Sequence, residues 1–301
     1  MISFFQLIRY KNLLMVLLTM ILTKYALINS FISNPSLTSI DFIILSLSIL
    51  FITAGGYIIN DLYDIEADTI NKPLKVYISK SISKKNAWFI YLLSSTLGVS
   101  LGIYLSVIKN SDFLSFYFIG TTLLLFLYSV LLKKQVFIGN LCISLLVALP
   151  IYLLYKFDSN SKTISNILQY FFLSTAVFYY MFFAFLTTMI REIIKDIEDI
   201  NGDYTVKLKT LPILIGKTRA RNISIFLSVV LLLFLFLVSS NYFISKKYFL
   251  GTIMLMISII VVHFIFKSWN ASTKKQFHYL SNLMKLIMFT GILSMILFKF
   301  K

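Results

Sequence analysis

Residues 222–241, NISIFLSVVLLLFLFLVSSN, run for twenty positions without one Asp, Glu, Lys or Arg. About 20 mostly apolar residues are what a helix needs to cross the hydrocarbon of a bilayer. Eight further windows of the same kind flank this one: 12–32, 40–60, 87–107, 113–132, 137–155 and 165–190 before it, 247–267 and 277–298 after it. The runs are continuous rather than alternating, which favours helices over a β-barrel. Pro35, Pro73 and Pro212 fall between windows, whereas Pro150 lies inside the fifth and is expected to kink it. The reading is an all-α polytopic membrane protein with nine transmembrane helices.

Composition agrees. Hydrophobic residues make up 58% of the 301, with 29 Phe, and charged residues only 13%; the mean hydropathy is +0.87. Soluble domains carry about 25% charged residues, so a pair of soluble domains is excluded and one integral-membrane domain over 1–301 is expected. The net charge of +16 does not mark a nucleic-acid surface, because the bases sit between apolar windows rather than on one soluble face. Cys142 is the single cysteine and can form no internal disulfide. No cleavable signal peptide is expected, since the first window is long enough to span and lacks a small-residue cleavage site.

Lys and Arg set the orientation. Arg9, Lys11, the five lysines of 72–85, Lys133, Lys134, the seven bases of 191–221, Lys267, Lys274 and Lys275 fall on one side. Only Lys109, Lys156, Lys162, Lys246, Lys247, Lys299 and Lys301 fall on the other. The N-terminus is therefore expected inside and the C-terminus outside, in a prokaryotic cytoplasmic membrane.

The acids are more informative. Nine of the twelve Asp and Glu occupy two short segments, both on the basic side: Asp61, Asp64, Glu66 and Asp68, then Glu192, Asp196, Glu198, Asp199 and Asp203. Asp61, Asp64 and Asp68 are spaced i, i+3, i+7, and so are Asp196, Asp199 and Asp203. On a helix each spacing puts three carboxylates on one face. Like charges that close repel, so a cation is implied. With no Cys or paired His nearby, oxygen-only ligation suits Mg²⁺. Two facing triads would hold a diphosphate between them through metal ions, with Lys72, Lys75, Arg191 and Lys195 as candidates for its remaining oxygens. Four spans separate the segments, which suggests two pseudo-repeated four-helix units plus a final helix. Two other readings stand beside this one. The acids are solvated helix ends, or they line an ion pathway as in a cation-coupled transporter. The second predicts acids within the spans, and apart from Asp41 near a span edge none is expected there.

At these residues the chain resembles the UbiA-type intramembrane prenyltransferases. Asn60, Asp61, Asp64 and Asp68 match that family's N-D-x-x-D-x-x-x-D motif, followed by Ile70-Asn71-Lys72-Pro73. Asp196, Asp199 and Asp203 match its second, D-x-x-D-x-x-x-D. Arg9 and Asn12 are similar to the family's Arg and Asn at the start of the first helix, and Gly139-Asn140 to the start of the fifth. The resemblance covers essentially the whole chain. It implies a helical bundle around a central cavity opening to lipid, with all six aspartates binding Mg²⁺ and a prenyl diphosphate, and Asn60, Arg9, Asn12 and Asn140 contacting substrate. It implies ionisation of the allylic diphosphate and capture of the cation by an acceptor lipid or aromatic ring.

The chain departs from the pattern where Lys75-Val76 and Ser79-Lys80 replace the family's frequent Arg-Pro and Ser-Gly. Arg191 stands where many aromatic-acceptor members carry Tyr. The run 191–199, REIIKDIED, looks more like the branch that prenylates glycerol phosphate ethers, the geranylgeranylglycerol-phosphate geranylgeranyltransferases. An additional Arg suits a second phosphate on the acceptor. A menaquinone-pathway naphthoate prenyltransferase shares both motifs and stays open. A CDP-alcohol phosphotransferase does not, because no Asp-Gly-x-x-Ala-Arg run is present. Of the remaining polar residues, Lys24 and Lys285 sit within apolar windows, with snorkelling the simplest account. His263 is expected to be a packed helix residue, and with His278 it shows no metal spacing.

Overall fold

The computed structural model describes residues 2–32, 34–158 and 167–299, apart from the side chains of Ile2, Lys75 and Ile167. Lys162, Lys301 and the first two positions of the 165–190 window fall outside it. Among the described residues, nine helices are long and apolar enough to cross a membrane.

A short α1 (Ile2–Leu7) leads into α2 (Tyr10–Leu22), and one wide turn of π-helix, Thr23–Leu27, extends it. The chain returns along α3 (Ser39–Tyr63), whose start is fixed by a capping box between Thr38 and Asp41. α4 (Ile65–Asn71) follows at once, then α5 (Lys84–Ile108), α6 (Ser115–Val130) and α7 (Ile138–Asp158). α8 (Ile167–Thr205) is the longest element. A short α9 (Leu211–Ile215) precedes α10 (Lys217–Ile244), α11 (Tyr248–Trp269) and α12 (Lys274–Ser294). α7 remains helical across Pro150.

Lipid tails are as apolar as Leu, so helices in a bilayer associate by close packing and hydrogen bonds rather than by hydrophobic exclusion. The α3–α5 pair shows this. Ser48 donates to the Gly98 carbonyl at 2.6 Å, and a Cβ at Gly98 would stand 2.9 Å from the Ser48 carbonyl oxygen. α8 packs against α7, α10 and α12, and Leu173, Val177, Tyr180, Phe183, Ile190, Ile193 and Ile197 form one buried stripe along it. Phe116, Phe226, Phe249, Ile259 and Phe266 point outward, as a surface facing hydrocarbon requires.

Two expectations are corrected here. Lys24 does not snorkel. It is 2% exposed, and its Nζ donates to Asp158 at 2.6 Å and to the Leu37 carbonyl at 2.9 Å. Asp158, the last residue of α7, is fully buried and also accepts from the Leu37 N–H at 2.9 Å. An acid therefore does lie at a span end besides Asp41, which itself pairs with Lys109 at 2.5 Å. The sequence reading missed Asp158 because it ended the fifth window three residues early. His263 is exposed rather than packed, and it meets the Tyr279 hydroxyl at 3.2 Å.

Candidate active site

The end of the bundle opposite Lys24 and Asp158 collects the two acidic segments. α4 lies against α8, and their approach is set by one clasp. The Asn71 side chain donates to the Asp199 carbonyl at 2.7 Å and accepts from the Gly202 N–H at 2.9 Å. A Cβ at Gly202 would sit 2.4 Å from Asn71 Nδ2 and 2.6 Å from the Ala67 carbonyl oxygen, so only glycine allows this contact. Lys274, at the start of α12, donates to the Asn71 carbonyl at 2.8 Å and ties a third element to the same point.

The second triad lies on the unbroken α8, as its spacing predicts. The first does not lie on one straight helix. α3 ends at Tyr63, and Asp64 takes φ −97°, ψ 3° before α4 begins. Asp64 is held at this joint from two directions, by Asn60 Nδ2 at 2.7 Å and by the Lys133 ammonium. The break turns Asp68 onto α4, the element that packs on α8.

Of the remaining candidates, Lys75 has a side chain outside the described residues, and the others have definite places. Arg9 adopts a left-handed backbone (φ 51°) between α1 and α2, donates to Asp61 at 2.6 Å and lies 5.0 Å over the Tyr57 ring. Asn12 reaches the Tyr57 hydroxyl. Lys72 pairs with Asp199, and Asn140 donates to Asp196 at 2.8 Å. Asp203 is buried. Arg191 and Lys195 do not point at an aspartate of either triad. Both bond Glu192, Arg191 through Nη1 at 2.9 Å and Lys195 through Nζ at 3.0 Å.

Electrostatics at the loop-borne groups follow from this interleaving. Burial opposes charge on Lys133, but the adjacent Asp64 carboxylate outweighs it and holds the ammonium above its ordinary range. Lys72 is raised in the same way, with Asp199 outweighing burial. Asp68 is pushed up, first by burial and then by the charge of Asp64. Among the described residues no three His, Cys, Asp or Glu side chains stand close enough to hold an ion between them. Asp61, Asp64 and Asp199 are instead paired with the cationic groups of Arg9, Lys133 and Lys72.

A narrow cleft opens between Lys133, Asn140, Glu192, Asp196, Tyr128 and Thr210. Another small hollow lies at the Tyr180 end of α8. Its lining, Tyr179, Phe183, Phe234 and Met254 among others, carries no charged group, so the polar chemistry belongs to the first. Lys133, Tyr57, Tyr128 and Glu192 are members of this neighbourhood that motif reading passed over. Helical register could have found two of them: Tyr57 precedes Asp61 by four residues, and Glu192 precedes Asp196 by four. Lys133 could not be found so, because it arrives from the α6–α7 loop.

The sequence pattern of the UbiA prenyltransferase family matches residues 14–287. A digeranylgeranylglyceryl phosphate synthase of Methanosphaera stadtmanae is 31% identical over 249 residues, 83% of this chain and 84% of that protein. That of Saccharolobus solfataricus is 33% identical over 233 residues, 77% and 75% of the two. Among solved structures, one concerned with digeranylgeranylglyceryl phosphate synthase in membranes aligns over 98% of this chain and 96% of its own. Its TM-score is 0.68 at 24% identity. A UbiA homolog from Archaeoglobus fulgidus bound to GPP and Mg²⁺ aligns over 97% and 99%, with TM-score 0.62 at 18% identity. The two structures share the fold.

Proposed function

The chain belongs to the UbiA prenyltransferase family, and from that premise we propose that it moves a geranylgeranyl group from its diphosphate to geranylgeranylglycerol phosphate within the membrane, with Mg²⁺. It is an integral membrane enzyme, and a transporter is set aside with that membership. The observation that carries the reading is the meeting of both aspartate segments at one end of the bundle, interleaved with Arg9, Lys72 and Lys133.

The residues suit Mg²⁺. The donors are carboxylate oxygens, and Asp199 Oδ1 is buried with no partner of its own, an acceptor left for a cation. Asp61, Asp64, Asp68, Asp196, Asp199 and Asp203 are the residues that would hold it. Bound there, Mg²⁺ offsets the negative charge that builds on a departing diphosphate. The protein's own cations act on the same charge. Lys72, Lys133 and Arg9 are held beside the aspartates on flexible stems, and diphosphate oxygens offer them a second anionic partner. Asn60 and Asn140 fix the Asp64 and Asp196 carboxylates by one donated hydrogen bond each. The apolar bundle keeps water from the allylic cation until the acceptor hydroxyl attacks.

The glycerol phosphate acceptor is supported by Arg191. Its Nε is buried without a hydrogen-bond partner, and a guanidinium edge of that kind suits a phosphate. The relatives from Methanosphaera and Saccharolobus are named for the same chemistry, which favours it over a naphthoate. The basic bias of the loops supports placing this end of the bundle in the cytoplasm.

The test uses membranes containing the full chain, labelled geranylgeranyl diphosphate and Mg²⁺. Geranylgeranylglycerol phosphate and dihydroxynaphthoate are offered in parallel. Ether-lipid product is expected, lost on chelation by EDTA, restored by added Mg²⁺, and reduced by a hundredfold or more in Asp61→Asn and Asp199→Asn. Naphthoate product would overturn the acceptor; full activity in either aspartate variant would overturn the metal assignment.

A further inference from the structure

Glu192 belongs to neither aspartate triad, yet it stands on the same face of α8, one turn before Asp196. It lines the cleft with Asp196, Asn140 and Lys133. Both of its oxygens are engaged. Oε1 accepts from Arg191 Nη1 at 2.9 Å and from Lys195 at 3.3 Å, and Oε2 accepts from Lys195 at 3.0 Å. None of the three side chains is more than about a quarter exposed, so water screens these contacts little.

The way Glu192 grips Arg191 is informative. A guanidinium presents two forks, an end-on pair of Nη1 and Nη2 and a side-on pair of Nε and Nη2. Glu192 takes Nη1, the one nitrogen outside the side-on fork. The Nε of that fork is buried without a partner, and a buried donor left unmet carries its full desolvation cost. Tyr57 of α3 lies within electrostatic reach of Arg191, Glu192 and Arg9, which places Arg191 near the first motif helix. A carboxylate that fixes one end of an arginine and leaves the other end unmet works as a brace.

We propose that Glu192 is a positioning residue for the acceptor: by holding Arg191 through Nη1, it presents the Nε/Nη2 edge to the phosphate of the prenyl acceptor. This rests on the glycerol phosphate reading given above. Reach matters here more than charge, because the function of Glu192 is to hold a nitrogen in place. Its second contact, to Lys195, keeps the carboxylate itself from rotating away.

Two conservative variants of the full chain in membranes separate reach from charge. Glu192→Gln keeps an oxygen at the same distance and loses the charge; Glu192→Asp keeps the charge and withdraws it by one methylene. KM is measured for geranylgeranylglycerol phosphate and for geranylgeranyl diphosphate, with Arg191→Met alongside. Expected is a tenfold or greater rise in acceptor KM for Glu192→Asp and Arg191→Met, with the diphosphate KM within twofold. Glu192→Gln keeps one oxygen for Arg191 but turns an N–H toward Lys195, so its acceptor KM is expected to rise less than that of Glu192→Asp, with the diphosphate KM again within twofold, which a general loss of packing would not reproduce. Several results would overturn the proposal: an unchanged acceptor KM in Glu192→Asp, an equal rise for both substrates, a fall in kcat alone, or a Gln variant as impaired as Asp. If Arg191→Met raises acceptor KM while Glu192→Asp does not, Glu192 is dismissed and the Arg191 reading stands. An Arg191→Met enzyme with normal acceptor KM would sink the phosphate reading itself, and this inference with it.

Discussion

At the scale of single residues, the site is held by polar side chains that are not themselves motif aspartates. Gly202 is the most demanding position. An added methyl would meet the Ala67 carbonyl at 2.6 Å, and backbone cannot step aside as a flexible side chain can. Gly202→Ala is therefore expected to push α4 from α8, costing about 1–3 kcal/mol of stability and at least tenfold in kcat. Unfolding temperature and turnover of the purified enzyme check both numbers. Sequence reading picked out the six aspartates by their spacing and Lys72 as a base beside them, and took Arg9, Asn60 and Asn140 from the family resemblance. It did not reach Lys133 or the true partners of Arg191 and Lys195. Those depend on which loops and turns come together, and no periodicity records that.

At the scale of elements, the nine windows fall on nine helices among the described residues, with edges displaced by a few residues except at the sixth, whose helix runs on from 190 to Thr205. Long uncharged runs have no other way to satisfy their backbone in lipid, so this level was legible. Two features were not. One is the joint at Asp64, held by Asn60 one turn before it and by Lys133 from the α6–α7 loop, outside the local run. The other is the Lys24–Asp158 pair, which binds the end of α2 to the end of α7 and to Leu37 between them. Removing one partner of a buried pair leaves the other charge stranded, at about 3–5 kcal/mol. Lys24→Met and Asp158→Leu should each lower the unfolding temperature clearly. The double variant should lose less than the two singles together, a shortfall that a thermal-unfolding cycle measures directly.

At the scale of the whole molecule, the distribution of charge gives the bundle two unlike ends. The aspartate end carries most of the bases, so it should face the cytoplasm. A Cys142→Ser background leaves no native thiol. Into it, cysteine is introduced at Lys80 or at Lys246, both exposed and at opposite ends of the bundle. In intact cells an impermeant maleimide is expected to label Lys246→Cys at once and Lys80→Cys only after permeabilisation. The reverse pattern would invert the assignment.

The length of α8 carries a consequence for the lipid around it. Its 39 residues extend about 58 Å at about 1.5 Å per residue, nearly twice the roughly 30 Å hydrocarbon thickness. One rigid rod thus joins the acyl-chain region to Asp196, Asp199 and Asp203. A bilayer of altered thickness changes the tilt of such a rod, and through Asn71 the change reaches α4 and Asp68. Turnover in vesicles should accordingly follow acyl-chain length, making the enzyme a gauge of the membrane whose lipids it helps to build.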